Sequence, residues 1–113
     1  MVIKRVGFKF KGKKIELEAV FCDSVWKRVR GLMFRGENAP ILFFDFKKQG
    51  RWAIHSFFCK DFLAIWLNNK GEVVEVRRVK PRNPHIIPKN LFTKLIEIPI
   101  NHKNKELIHF LDG

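Results

Sequence analysis

The chain has two cysteines and no tyrosine, and its acidic residues are outnumbered 11 to 23 by lysine and arginine. Cys22 and Cys59 stand far apart with no companion at metal-ligand or redox-motif spacing. That excludes a disulfide framework and a paired-cysteine zinc site. They read as two buried free thiols in a reducing compartment, with a Cys22–Cys59 bridge as the less favoured alternative. Glycine-rich phosphate cradles, internal repeats and low-complexity tracts are missing. No apolar run reaches membrane-spanning length, and the opening MVIKRVGFKFKGKK has charges every few residues in place of an apolar signal core. A cytoplasmic protein without membrane insertion is expected.

What is present describes a folded, basic protein. At 113 residues, 46% of them hydrophobic and twelve of them phenylalanine, the chain suits one domain over residues 1–113, able to bury about two thirds of its unfolded surface. The net charge of +12 attracts nucleic acid, anionic lipid or acidic ligands. The cations are spread along the chain, however, as on a solubilising surface.

Taken in order, residues 2–22 predict a β-hairpin turning at Lys11-Gly12-Lys13-Lys14, with Ile15, Leu17, Ala19 and Phe21 on one face and Phe8 and Phe10 on the same face of the opposing strand. Asp23 or Ser24 caps a short helix that Gly31 closes, with Trp26 as a core plug. Ile41 to Phe46 predicts a strand buried on both faces, followed by a polar loop from Lys47 to Arg51. A central hairpin then begins at Trp52, passes through the wholly apolar Phe62–Leu67, turns at Asn68-Asn69-Lys70-Gly71 and returns along Val73, Val74, Val76 and Val79. Pro81, Pro84 and Pro88 mark a loop barred from a central ladder. Leu95 to Ile98 is a strand for which Pro99 marks an edge or an end, and Asn101 to Leu111 is a short helix with Leu107, Ile108 and Leu111 on its apolar face. The expected class is α+β, mainly β: a compact antiparallel or mixed sheet, barrel-like, with one or two short helices.

Arg30-Gly31-Leu32-Met33-Phe34-Arg35 resembles the hallmark segment of the domain of unknown function 192 family of small prokaryotic proteins. Ile41 to Phe46, the aromatic run after Ile54, Lys70-Gly71-Glu72-Val73-Val74 and Ile96-Glu97-Ile98-Pro99 match in the same order. The resemblance implies a compact, mainly β domain. Many relatives are exported, and many carry a Trp-Met-Lys-Asn-Thr type segment followed by Pro-Leu-Asp. The corresponding stretch here is His55 to Leu63, the expected acid falls near Leu63 or Ala64, and only Asp61 is at hand to replace it.

The residues nominate no catalytic set. His55 and Cys59 are four apart, about 13 Å along a strand, too far to share a metal at ~2.0–2.3 Å. With His85 they form the only thiol–imidazole pairing, which reads better as a buried thiol than as a nucleophile. No metal and no cofactor are expected. The favoured function is a non-catalytic binding or accessory module in which Arg35, His55, Lys60 and Asp61 rim a groove for a small anionic ligand, arginine supplying the planar fork that suits carboxylate or phosphate. A structural ion pair from Arg35 to Asp45 or Glu37 is the competing assignment. The first alternative is weak nucleic-acid (RNA) binding through Arg51, Trp52, Arg77, Arg78, Lys80 and Arg82, with Trp52 and Trp66 as stacking candidates. The second is an enzyme of unspecified reaction.

Overall fold

The computed structural model describes residues 2–22, 40–51, 61–80 and 86–112, without the side chains of Cys22 and His102. The expected helix after Ser24 with its Trp26 plug, the aromatic limb from Trp52 to Phe58, and Pro81 and Pro84 lie outside the described residues. Among the described residues are six strands: β1 Val2–Phe10, β2 Lys13–Cys22, β3 Leu42–Gly50, β4 Phe62–Leu67, β5 Val73–Val79 and β6 Phe92–Pro99. A 3-10 turn at His102–Asn104 leads into helix α1, Lys105–Asp112.

The strands form one mixed sheet in the order β1-β2-β3-β6-β4-β5, curled into a half-barrel. β1 and β2 pair antiparallel from Val2↔Phe21 to Phe10↔Lys13. Lys11 and Gly12 thus form a two-residue turn, both at positive φ (50° and 77°), as the right-handed twist of a tight hairpin requires. β2 meets β3 in parallel at Val20↔Leu42 and Phe21↔Phe43. A parallel pair needs a crossover of about a dozen residues or more, and the chain between Cys22 and Leu42 exceeds that. This added neighbour buries Val20, whose alternation with the core residues of β2 predicts the solvent side.

Two expectations change. The polar stretch after Phe46 is the irregular second half of β3: the register shifts between Asp45 and Gly50. There Asp45 Oδ1 accepts a hydrogen bond from Lys47 N at 2.9 Å, with Lys47 at φ 63°. Such a bulge lets a strand continue past residues that lack an apolar face. Second, β6 is central, between β3 and β4, so Pro99 marks a strand end and the edge alternative falls away.

Both faces of the sheet carry apolar residues. Leu42, Phe44, Phe62, Ala64, Trp66 and Leu95 pack on one face; Phe8, Phe43, Leu63, Ile65, Ile96 and Ile98 pack on the other, which also receives Ile108 and Leu111 of α1. β4 feeds both in strict alternation and is buried at all six positions, as its uninterrupted apolar sequence demands. Glu97, opposite Leu42 and Ala64, is a carboxylate only 4% exposed on the first face, and it is not without a partner. The outer strands meet at one end, where Lys9 N donates to Gly71 O at 3.2 Å and Lys9 bridges Glu72 in parallel.

Candidate functional site

The site is built where the chain leaves β6 and folds back under β4 and β5. Ile100 N donates to the carbonyl of Asp61 at 3.1 Å, tying the start of β4 to the end of β6. Asn101 then caps the turn, its Oδ1 accepting from Asn104 N at 3.1 Å, while Asn104 Nδ2 donates to Pro99 O at 2.8 Å. Side-chain oxygens of asparagine suit such a position because they satisfy the first free amides of a helical segment. The result holds α1 against the second face of the sheet, leaving a cleft of about 400 Å³ beside β5, lined by Arg78, Ile100, Asn101, Lys105, Ile108, His109 and Asp112.

The cleft is amphipathic. Ile100 and Ile108 supply its apolar wall, while Arg78, Lys105 and His109 bring basic side chains and Asp112 an acidic one. Asn101 Nδ2 is buried without a hydrogen-bond partner among the described residues, so one amide donor is left unspent there. Asp61 Oδ2 stands 4.0 Å from Arg78 Nε, a long contact between part-exposed groups that contributes little to stability.

Of the expected anion-groove residues, Asp61 neighbours Arg78 without lining the cleft, and Arg35, His55 and Lys60 lie outside the described residues. Of the nucleic-acid set, Trp52 and Arg82 lie outside them as well. Arg51 and Arg77 are engaged with the protein itself. Arg51 Nε donates to Pro88 O at 2.9 Å, and Arg77 pairs with Glu75 and donates to Ile87 O at 3.2 Å. Glu75 in turn accepts from Lys89 N at 2.7 Å, so these groups strap residues 86–90 along the outer edge of β5. Trp66, a stacking candidate, is fully buried under the Arg77 guanidinium at 5.4 Å. Arg78 is half-exposed and Lys80 exposed.

The basic hairpin β1–β2 offers no bare aromatic platform at the rings its lysines cover. Lys4 lies over Phe21 at 4.0 Å, Lys11 over Phe10 at 5.2 Å and Lys13 over Phe110 at 5.5 Å. Among the described residues no three His, Cys, Asp or Glu side chains are grouped to hold a metal, and no helix is long and apolar enough to cross a membrane. His55, Cys59 and His85 lie outside those residues.

A UPF0127 protein of Pyrococcus furiosus is 32% identical over 91 residues, spanning 79% of this chain and 78% of that one. The chain belongs to the UPF0127 family. No family model matches it. The UPF0127 fold recurs in a crystal structure of a candidate transcription regulator from Sinorhizobium meliloti, at TM-score 0.72 and 18% identity over 94% of this chain and 86% of that one. It recurs also in a protein of unknown function from Novosphingobium aromaticivorans, at TM-score 0.68 and 14% identity over 93% and 78% of the two chains. At these identities the two structures show a shared fold alone.

Sequence reading missed Asn101, Lys105, His109 and Asp112. The signal available was the polar side of the amphipathic helix after Pro99, which periodicity marks as solvent-facing; only the tertiary fold brings it opposite Arg78.

Proposed function

We propose that this UPF0127 chain is a non-catalytic binding or accessory module of the cytoplasm, one domain over residues 1–113, that takes a small anion in a groove rimmed by Arg35, His55, Lys60 and Asp61. The Arg30 to Arg35 segment, with the strand motifs that follow it, supports membership of the domain of unknown function 192 family. The observation that supports this reading is a cleft lined by Arg78, Lys105 and His109, next to Asp61, whose carbonyl accepts from Ile100 N and whose carboxylate stands 4.0 Å from Arg78 Nε. A small basic cleft in a strongly positive protein concentrates anions, and an arginine at its rim orients them through paired N–H donors.

The test is titration of the purified protein with inorganic phosphate and with acetate, alongside native mass spectrometry of whatever copurifies. Saturable anion binding that weakens in Arg35→Ala is expected. Binding that survives Arg35→Ala unchanged refutes the assignment of that residue, and an absence of any anion binding refutes the function.

Nucleic-acid binding draws less support. The Sinorhizobium meliloti neighbour, a candidate transcription regulator, is compatible with it, but Arg51 and Arg77 are spent on residues 86–90 and Trp66 is in the core.

A further inference from the structure

Resting on the anion-binding assignment, we propose that the cleft between β5 and α1 seats one class of anion: a monocarboxylate with a compact apolar body. Its volume, about 400 Å³, falls in the range of small-molecule sites, roughly 300–1,000 Å³. Three features select the ligand. The first is the wall of Ile100 and Ile108, the latter buried against the sheet, which rewards an alkyl or aryl body by removing apolar area from water.

The second is the donor set. Arg78 presents a planar fork, Lys105 a point charge, and Asn101 Nδ2 is a buried N–H donor without a hydrogen-bond partner among the described residues. Leaving such a donor unpaired is costly, and although the atom is closed to solvent, a carboxylate oxygen reaching it through a small shift of the cleft wall relieves that cost. The Asn101 Oδ1 atom is already used by Asn104 N, so the side chain offers the ligand a donor and suits an acceptor-only group such as carboxylate.

The third is the countercharge. Asp112 lines the cleft, and Asp61, outside the lining, stands 4.0 Å from Arg78 Nε. In the lining itself, Arg78 and Lys105 against Asp112 are two cations less one carboxylate, a single net positive charge that favours a monoanion, whereas the second charge of a dianion goes uncompensated. Phosphate is thereby disfavoured relative to a singly charged carboxylate. The acids also set a boundary on the polar end: a ligand must place its charge towards Arg78 and Lys105 and its body along the isoleucines.

The experiment is an amide-resolved NMR titration of the full chain with hexanoate, acetate and inorganic phosphate. Hexanoate is expected to shift the amides of Arg78, Asn101, Lys105 and His109 and to bind about tenfold more tightly than acetate, the gain of partial burial of its extra methylenes. Arg78→Gln, and separately the exposed Lys105→Gln, should each weaken hexanoate about tenfold, the loss typical of a charge-assisted hydrogen bond. Asp112→Asn should narrow the preference for hexanoate over phosphate. Phosphate or acetate binding as tightly as hexanoate, or hexanoate shifting amides elsewhere, overturns the monocarboxylate site while leaving the anion-binding function standing. No binding by any of the three overturns both. Hexanoate binding indifferent to both glutamine variants, with their spectra otherwise native, overturns the site.

Discussion

Gly71 joins local conformation to the closure of the half-barrel, and replacing it tests whether backbone geometry alone explains its presence. It ends the β4–β5 turn at φ 77°. Asn68 organises that turn: its Oδ1 accepts from Lys70 N at 2.9 Å and Glu72 N at 3.0 Å, and its backbone exchanges bonds with Gly71 and Glu72. An L-residue in the left-handed region costs about 1–2 kcal/mol. A Cβ added at Gly71 would meet nothing nearer than Gly7 O at 4.0 Å, which is ordinary van der Waals contact, so no steric term is added. Gly71→Ala should therefore cost about 1–2 kcal/mol, lowering Tm by about 5–10 °C for a chain of this size.

Gly12 supplies the control. It too has φ 77°, with nothing within 4 Å of an added Cβ, whereas the backbone bond between the outer strands runs from Lys9 N to Gly71 O. Any cost of Gly71→Ala above that of Gly12→Ala measures distortion of the Lys9 N to Gly71 O bond, and hydrogen exchange at the Lys9 amide reads that distortion directly. Gly71→Asn should recover part of the loss, because asparagine tolerates the left-handed region. Thermal denaturation decides. A Gly71→Ala midpoint within about 2 °C of the parent, or an asparagine variant no better than alanine, would refute the conformational account.

The complementary prediction is at Lys11, which occupies φ 50° in the first hairpin without being glycine. Both Lys11→Asn and Lys11→Ala lose the ammonium over Phe10, so their difference isolates the backbone: asparagine should be the more stable by about 1 kcal/mol, and equal midpoints would contradict it. In the core, Leu63 is fully buried between β5 and β6; Leu63→Ala should cost about 2–5 kcal/mol in urea denaturation with the slope unchanged, and a cost below about 1 kcal/mol would mean the site collapses around the gap.

Most of the sheet could be read from the chain, because in its strands apolar period and turn chemistry agree. Phe62–Leu67 is apolar at every position and is buried at every position. Lys11-Gly12 and Asn68 to Gly71 turn the two hairpins where predicted. What escaped were relations between distant segments. Nothing in Val20 announces a parallel partner at Leu42, and nothing in Leu95 to Ile98 announces that this strand, late in the sequence, is inserted between β3 and β4. The Lys47 to Gly50 stretch was misread for a different reason. Its residues are polar and one has a left-handed backbone, which are loop signals, yet a bulge keeps it in β3.

The candidate site was hidden by the same property of strands that made the sheet legible. Arg77 and Arg78 are adjacent in sequence and look like one basic patch with Lys80. In β5 they point to opposite faces: Arg77 is opposite Ala64 and Arg78 opposite Leu63, and those two partners belong to different cores. Arg77 consequently lies over Trp66 and holds Ile87, while Arg78 turns towards α1 and the cleft. Lys4, Lys11 and Lys13 of the first hairpin, though exposed, lie over phenylalanine rings. A net charge of +12 therefore overstates the cationic surface a ligand meets. The useful quantity is which cations face a shared concavity beside an unspent donor, and in the cleft beside α1 those are Arg78 and Lys105 with Asn101.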